Sequence, residues 1–88
     1  MAVLLASGTT TASSADFTLT GETSTLFLDC ATAQIQDVVV LIEVKAASGV
    51  YHIIGNLTDE YPIQVLIGPG TYRVTRQACA IAVGVDRV

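Results

Sequence analysis

The fold class of this chain is decided by the stretch Val65-Leu66-Ile67-Gly68-Pro69-Gly70-Thr71-Tyr72-Arg73-Val74. It joins an apolar run to an alternating run through a Gly-Pro-Gly segment. Glycine gives the backbone freedom at a corner and proline pre-sets φ at about −65°, so this composition is typical of a tight turn. The flanking β-branched and aromatic residues suit a half-buried pleated surface. The stretch therefore predicts a β-hairpin with strands at 65–67 and 71–74.

Alternation of apolar and polar residues predicts further strands before the hairpin. Residues 16–20 place Phe17 and Leu19 on one face, and residues 23–30 alternate in the same way. Residues 31–37 lack this pattern and are interpreted as a loop. The first part of the chain is therefore expected to contain short strands that bury one face.

The most apolar strand is predicted at residues 38–46, whose first five positions are all apolar. A strand with one exposed face alternates, so this strand is expected to be central, with both of its faces covered. Residues 50–57 follow as the return strand, and Gly55 is a candidate β-bulge.

The last strand is predicted at residues 78–85, and its two faces differ. One face, which includes Cys79 and Ile81, is expected in the core. The other carries only small residues, namely Ala78, Ala80, Ala82 and Gly84. Small residues let another backbone approach closely, either a neighbouring subunit or a crowded part of the same monomer.

These segments give seven or eight short strands, no convincing helix, and turn signals about every 8–12 residues. The prediction is an all-β domain, a single small β-sandwich at residues 16–88 with jelly-roll or immunoglobulin-like connections. Residues 1–15 carry no charge and are predicted to form an N-terminal arm. Because the start of this arm is apolar, we expect it to pair as a strand with the domain or with a neighbouring chain. Its apolar core is shorter than that of a signal peptide, so we expect it to be part of the mature sequence.

The composition favours contact with other chains. The sequence is 51% hydrophobic and 14% charged, with a net charge of −4, whereas a typical domain is roughly 25% charged. Either the eleven Thr and five Ser residues coat the surface, or other chains cover part of the apolar surface; we favour the second. The chain has no basic stripe for nucleic acid and no apolar run long enough to cross a membrane.

No group of residues in the sequence predicts catalysis, a cofactor or a metal site. The only histidine, His52, has no converging ligands and no candidate nucleophile beside it. Asp59 and Glu60 would need further oxygen ligands to hold calcium. Cys30 and Cys79 are expected to be buried thiols rather than a disulfide. The sequence therefore predicts a protein that is not an enzyme.

Candidate contact residues come from the apolar start, the connection before the hairpin, the outer face of the hairpin's second strand and the small-residue face of the last strand. In the second hairpin strand, Tyr72 and Val74 are expected inside, with the Tyr72 hydroxyl tying the loop to the backbone. The predicted interface residues are Val3, Leu4, Leu5, Tyr61, Arg73, Arg76, Ala80, Ala82 and Gly84.

Two stretches carry a resemblance to a known class: Gly70-Thr71-Tyr72-Arg73-Val74-Thr75-Arg76 and Ala82-Val83-Gly84-Val85-Asp86. With the Thr/Ser/Ala-rich start, this pattern resembles the minor structural proteins of tailed-bacteriophage virions, either head decoration (cement) proteins or the β-domains at the base of spikes and fibres. The resemblance covers mainly the last third of the chain.

The resemblance implies a virion protein without catalytic activity, assembled in the host cytoplasm. Such a protein forms a homo-oligomer, binds the major capsid protein or another virion protein, and stabilises the shell. Two alternatives stay open: a tail or spike adaptor, and a binding module for a host-surface glycan that uses Tyr61 and Tyr72.

Overall fold

The computed structural model describes residues 2–30 and 37–88, so the predicted loop at 31–37 lies outside these residues except for Asp37. The described residues form nine β-strands and no helix. The strands are β1 (Ala2–Gly8), β2 (Ala12–Ser13), β3 (Phe17–Leu19), β4 (Thr23–Cys30), β5 (Val39–Lys45), β6 (Tyr51–Thr58), β7 (Ile63–Ile67), β8 (Gly70–Arg76) and β9 (Val83–Arg87).

The strands form two antiparallel sheets that pack against each other. The first sheet has the order β1-β9-β4-β7, and the second has the order β2-β8-β5-β6, with β3 also pairing with β8. The predicted all-β sandwich is therefore confirmed. The strands number nine rather than seven or eight because residues 2–13 contribute β1 and β2.

The predicted hairpin is wrong, although both of its strands exist. Strand β7 pairs with β4 in the first sheet, whereas β8 pairs with β5 in the second. The Gly-Pro-Gly segment is therefore a crossover between the sheets, with a cis peptide bond between Gly68 and Pro69. The glycines serve close packing here, because a Cβ on Gly68 would lie 2.7 Å from the Leu19 Cβ.

The core lies between the two sheets and is built from alternate positions of each strand. Phe17 and Leu19 point inward from β3 as predicted. The Phe17 ring lies 5.9 Å from that of Tyr72, centroid to centroid. The Tyr72 hydroxyl donates to the Ile67 carbonyl at 3.2 Å, which confirms the predicted tie to the backbone.

Strand β5 is central in its sheet, as predicted, but only one of its faces is covered. Val40 and Ile42 are buried, whereas Val39 and Leu41 on the other face are half-buried. The uninterrupted apolar run thus overstated the coverage of the outer face. The register between β5 and β6 shifts beside Gly55, which confirms the predicted β-bulge.

The last strand begins later than predicted. Residues 77–82 are not a strand, and β9 starts at Val83. Ala80 and Ala82 are exposed rather than packed on a small-residue face, whereas Gly84 is buried. A Cβ on Gly84 would lie 2.7 Å from the Leu5 carbonyl oxygen, so the close neighbour is β1 of the same chain.

The N-terminal segment belongs to the sandwich itself. Strand β1 pairs with β9 and buries Leu5, and β2 pairs with the end of β8. Residues 2–13 therefore contribute to both sheets. Of the two expected partners of this segment, the structure uses the domain of the same chain.

Candidate interaction surfaces

Arg76 is buried, with 4% of its surface exposed, so its predicted place on the outer face is wrong. Its side chain follows Tyr72 and Val74 in period two, which places all three on the inner face of β8. The prediction that Arg76 faces outward overlooked this alternation. The guanidinium Nη1 donates to the carbonyls of Ala6 and Val83, both at 2.8 Å.

The same guanidinium also fixes the segment after β1. Its Nε donates to the Thr10 carbonyl at 2.8 Å. A Cβ on Gly8 would lie 2.8 Å from Nη2, so a larger residue there would have to displace the guanidinium from these hydrogen bonds. Arg76 therefore holds the N-terminal segment to the sandwich, a structural role rather than a contact with another molecule.

A cluster of charged and polar side chains covers the outer face of the second sheet. Arg73 donates to the Glu43 carboxylate from Nε at 3.1 Å and from Nη2 at 3.4 Å, and the Thr75 hydroxyl donates to the same carboxylate. The Thr75 hydrogen bond first, and Arg73 second, lower the pKa of Glu43. Arg73 thus faces outward as predicted, but its charge is matched within the chain.

The cluster continues through Tyr51. The Arg73 guanidinium carbon lies 3.6 Å from the centre of the Tyr51 ring, a cation–π distance. The Tyr51 hydroxyl donates to Asp16 at 2.6 Å, and the Lys45 ammonium lies 3.4 Å from the same carboxylate.

The hydrogen bond from Tyr51 is the main cause that lowers the pKa of Asp16. The two acids of this cluster are paired with its two bases. A general acid needs a pKa near the working pH, and the pKa values of both carboxyl groups are lowered. We call this set the polar face: Asp16, Glu43, Lys45, Tyr51, Arg73 and Thr75.

Strands β6 and β7 carry most of the exposed aliphatic side chains of the described residues. Both are edge strands, and they contact each other. Residues 46–58 and 61–72 contain no Asp, Glu, Lys or Arg. We call the exposed aliphatic side chains of these two strands the apolar edge: Ile53, Ile54, Ile63, Val65 and Ile67, which are 62%, 51%, 60%, 55% and 72% exposed.

Natural edge strands usually carry charges, prolines or bulges that prevent strand addition. Strand β7 is free of charge, and its pairing with β4 is regular. Sequence reasoning missed these five residues because it placed β7 inside a hairpin. The two long stretches without charge were the available signal.

Tyr61 is the one predicted contact residue that lies next to the apolar edge. Its side chain is 66% exposed in the connection between β6 and β7. Its N–H donates to the Thr58 hydroxyl at 3.1 Å, and its carbonyl accepts the Thr58 N–H at the same distance. The backbone is thus held while the ring remains accessible.

The other predicted contact residues do not converge on one surface. At the N-terminus, Val3 is 69% exposed, Leu4 is half-buried and Leu5 is buried. Ala80 and Ala82 are accessible but lie in an irregular segment. Only part of the predicted set is therefore available to a partner.

A shallow cleft of about 280 Å³ lies at one end of the first sheet, beside Glu22, Ser24 and Arg87. The Ser24 hydroxyl donates to the Val88 carbonyl at 3.1 Å.

Among residues 2–30 and 37–88, no cluster of histidine, cysteine or acidic residues could hold a metal ion. The described part of the chain also has no helix long enough to cross a membrane. Cys30 and Cys79 are not joined by a disulfide.

No protein-family model matches this chain, and neither the curated proteins nor the solved structures give a significant match.

Proposed function

We propose that this chain is a structural protein without catalytic activity, which forms a homo-oligomer and binds the surface of a virion shell. The observation that carries the proposal is the apolar edge. Five branched aliphatic side chains, each more than half exposed, lie on two adjacent edge strands without a charge. Large exposed apolar patches mark surfaces that other molecules cover.

The proposed mechanism is multivalent retention. Full burial of one Ile or Val side chain contributes about 1.5–3 kcal/mol, so a few such contacts per copy give weak binding on their own. When sister subunits are linked, each further contact with the shell becomes intramolecular, and the combined affinity rises steeply. Because β1 pairs within its own chain, this mechanism does not use an arm that reaches a neighbour.

The virion setting is supported by the resemblance of residues 70–76 and 82–86 to head decoration and spike-base proteins. We therefore infer that the partner is the major capsid protein or another virion protein. The polar face suits an outward orientation, because its charges are paired with each other and the side chains of Lys45, Asp16 and Arg73 keep about a third of their surface in water.

The glycan-binding alternative is not favoured by a specific observation. Its pair of stacking residues was Tyr61 and Tyr72, and Tyr72 is only 6% exposed. Its hydroxyl is already bonded to the Ile67 carbonyl. A single exposed ring, Tyr61, is left for stacking against a sugar.

Two measurements test the proposal. Sedimentation equilibrium should show a reversible oligomer, and a monomer at every concentration would contradict it. Co-sedimentation with shells assembled from the capsid protein of the same genome should then show saturable binding. A genome without capsid genes, or shells that leave the protein in the supernatant, would contradict the virion setting.

A further inference from the structure

Among the sheet edges that the structure describes, β7 is the one without a feature that hinders strand addition. The pairing of β1 with β9 contains two register shifts, and the pairing of β6 with β5 contains one. Strands β2 and β3 are only two and three residues long. Shifts, bulges and short strands all disfavour pairing with another chain. Strand β7 pairs with β4 without a shift and carries no charge.

The hydrogen bonds of β7 show which of its backbone groups face β4. The Gly68 N–H donates to the Glu22 carbonyl at 3.1 Å, and the Leu28 N–H donates to the Pro62 carbonyl at 3.0 Å. Hydrogen-bonded and non-hydrogen-bonded positions alternate along an antiparallel pair. The even-numbered positions of β7 therefore direct their backbone groups toward β4.

The odd-numbered positions Ile63, Val65 and Ile67 direct their backbone groups to the free edge. Their side chains are also the exposed ones of this strand. The Ile67 carbonyl already accepts the Tyr72 hydroxyl. The free edge thus presents three N–H groups together with the carbonyls of Ile63 and Val65.

A second copy of β7 fits this edge when it runs antiparallel about a two-fold axis at Val65. Val65 then pairs with the partner's Val65, and Ile67 pairs with the partner's Ile63. The Val65 pair exchanges two hydrogen bonds, and each Ile67 N–H reaches the Ile63 carbonyl opposite. The contact uses the same patch on both copies, as closed two-fold symmetry requires.

The exposed side chains of β7 lie on one face of the first sheet, because the alternate residue Leu66 is buried. Ile63, Val65 and Ile67 are 60%, 55% and 72% exposed, and Tyr61 in the preceding connection is 66% exposed. Strand pairing also aligns the exposed aliphatic rows of the two copies into one stripe. No charged residue of β6 or β7 would be buried in the process.

We propose that the occupant of the β7 edge is a second copy of this chain, joined antiparallel at Val65. Two four-stranded sheets become one continuous sheet across the dimer. This inference rests on the proposed function only in requiring a homo-oligomer, and it does not depend on the virion setting.

Cysteine cross-linking tests the register directly. The variants Val65→Cys, Ile63→Cys and Ile67→Cys are treated with a short thiol-to-thiol reagent such as dibromobimane. Val65→Cys should cross-link to itself. Ile63→Cys should cross-link only when it is mixed with Ile67→Cys. The two-fold axis at Val65 places residue 63 opposite residue 67 of the other copy, so the two copies of residue 63 lie about four residues apart along the strands. The untreated and treated wild-type chains control for Cys30 and Cys79.

Val3→Cys is the matched control, since Val3 is also a valine more than half exposed, on the opposite edge of the same sheet. Cross-linking at Val3 in place of Val65 would overturn the proposed interface. A dimer that is seen by sedimentation but cross-links at none of the β7 positions would overturn it too, while the homo-oligomer would stand. A monomer at all concentrations would overturn both proposals.

Discussion

The polar face and the apolar edge belong to the same small sandwich and differ in how they treat charge. On the polar face, Arg73 pairs with Glu43 and Lys45 lies beside Asp16. Along the apolar edge, β6 and β7 expose five aliphatic side chains and no charge. Four of the twelve charged residues of the chain (eight acids and four bases) lie on the polar face.

The difference shows that a low charge content is not spread evenly over a surface. A side of the molecule in contact with water retains paired charges, whereas a side covered by another chain has no need of them. The overall figure of 14% charged residues therefore averages two different surfaces. The position of the charges, more than their number, indicates where a partner binds.

The largest effect is expected from Arg76, which holds the N-terminal segment to the sandwich on which both surfaces lie. Arg76→Met leaves three backbone carbonyls without their donor, of which the one at Val83 is buried and those at Ala6 and Thr10 are partly buried. A buried group left unpaired costs about 1–3 kcal/mol. We expect the free energy of unfolding to fall by about 3–5 kcal/mol, measured by urea denaturation. Arg76→Lys keeps the charge but has only a compact ammonium, so it should recover part of the loss. An unchanged stability of Arg76→Met would show that these three hydrogen bonds are not needed.

The second largest effect is expected from Val65→Lys, which places a charge on the apolar edge and should weaken association of the chain with itself. In a dimer joined at Val65, Val65→Lys places two like charges opposite each other, so the dissociation constant should rise about tenfold or more. The fold should be retained because Val65 is exposed. Sedimentation equilibrium measures the change. Thr18→Lys, an exposed substitution on β3, is the control and should leave association unchanged; equal effects of both lysines would argue against a specific edge.

The smallest effect is expected on the polar face, in its dependence on pH. The pKa of Glu43 is lowered in the folded protein, so the folded state binds its proton less readily than the unfolded state. This contribution to stability is present above the ordinary pKa of a glutamate and is lost as the pH falls through the lowered value. Glu43→Gln should remove less than about 1 kcal/mol at neutral pH and flatten the acid limb of the stability curve. If the stability of the variant fell with acid as steeply as that of the wild type, the pH dependence could not be assigned to Glu43.

The sequence was sufficient for the features that depend on local alternation. Period two placed Phe17 and Leu19 in the core, and the apolar run of β5 indicated a central strand. The same parity would have placed Arg76 inside, had it been extended one step beyond Val74. Long-range pairing could not be predicted in this way.

The Gly-Pro-Gly segment shows why long-range pairing was missed. A turn between two strands has the same local chemistry whether the strands pair with each other or enter different sheets. The choice depends on distant partners, β4 for one strand and β5 for the other. Because this error hid the free edge of β7, the apolar edge was also missed, although the general expectation of an apolar contact surface came from composition.

The measurement that tests the central claim most directly is the mass of the wild-type chain in solution, compared with that of Val65→Lys by sedimentation equilibrium. Over a roughly hundredfold range of concentration, the wild type should pass reversibly from monomer to dimer or a higher oligomer, and the variant should remain largely monomeric. A wild-type chain that stays monomeric throughout, with its apolar edge in contact with water, would contradict the account.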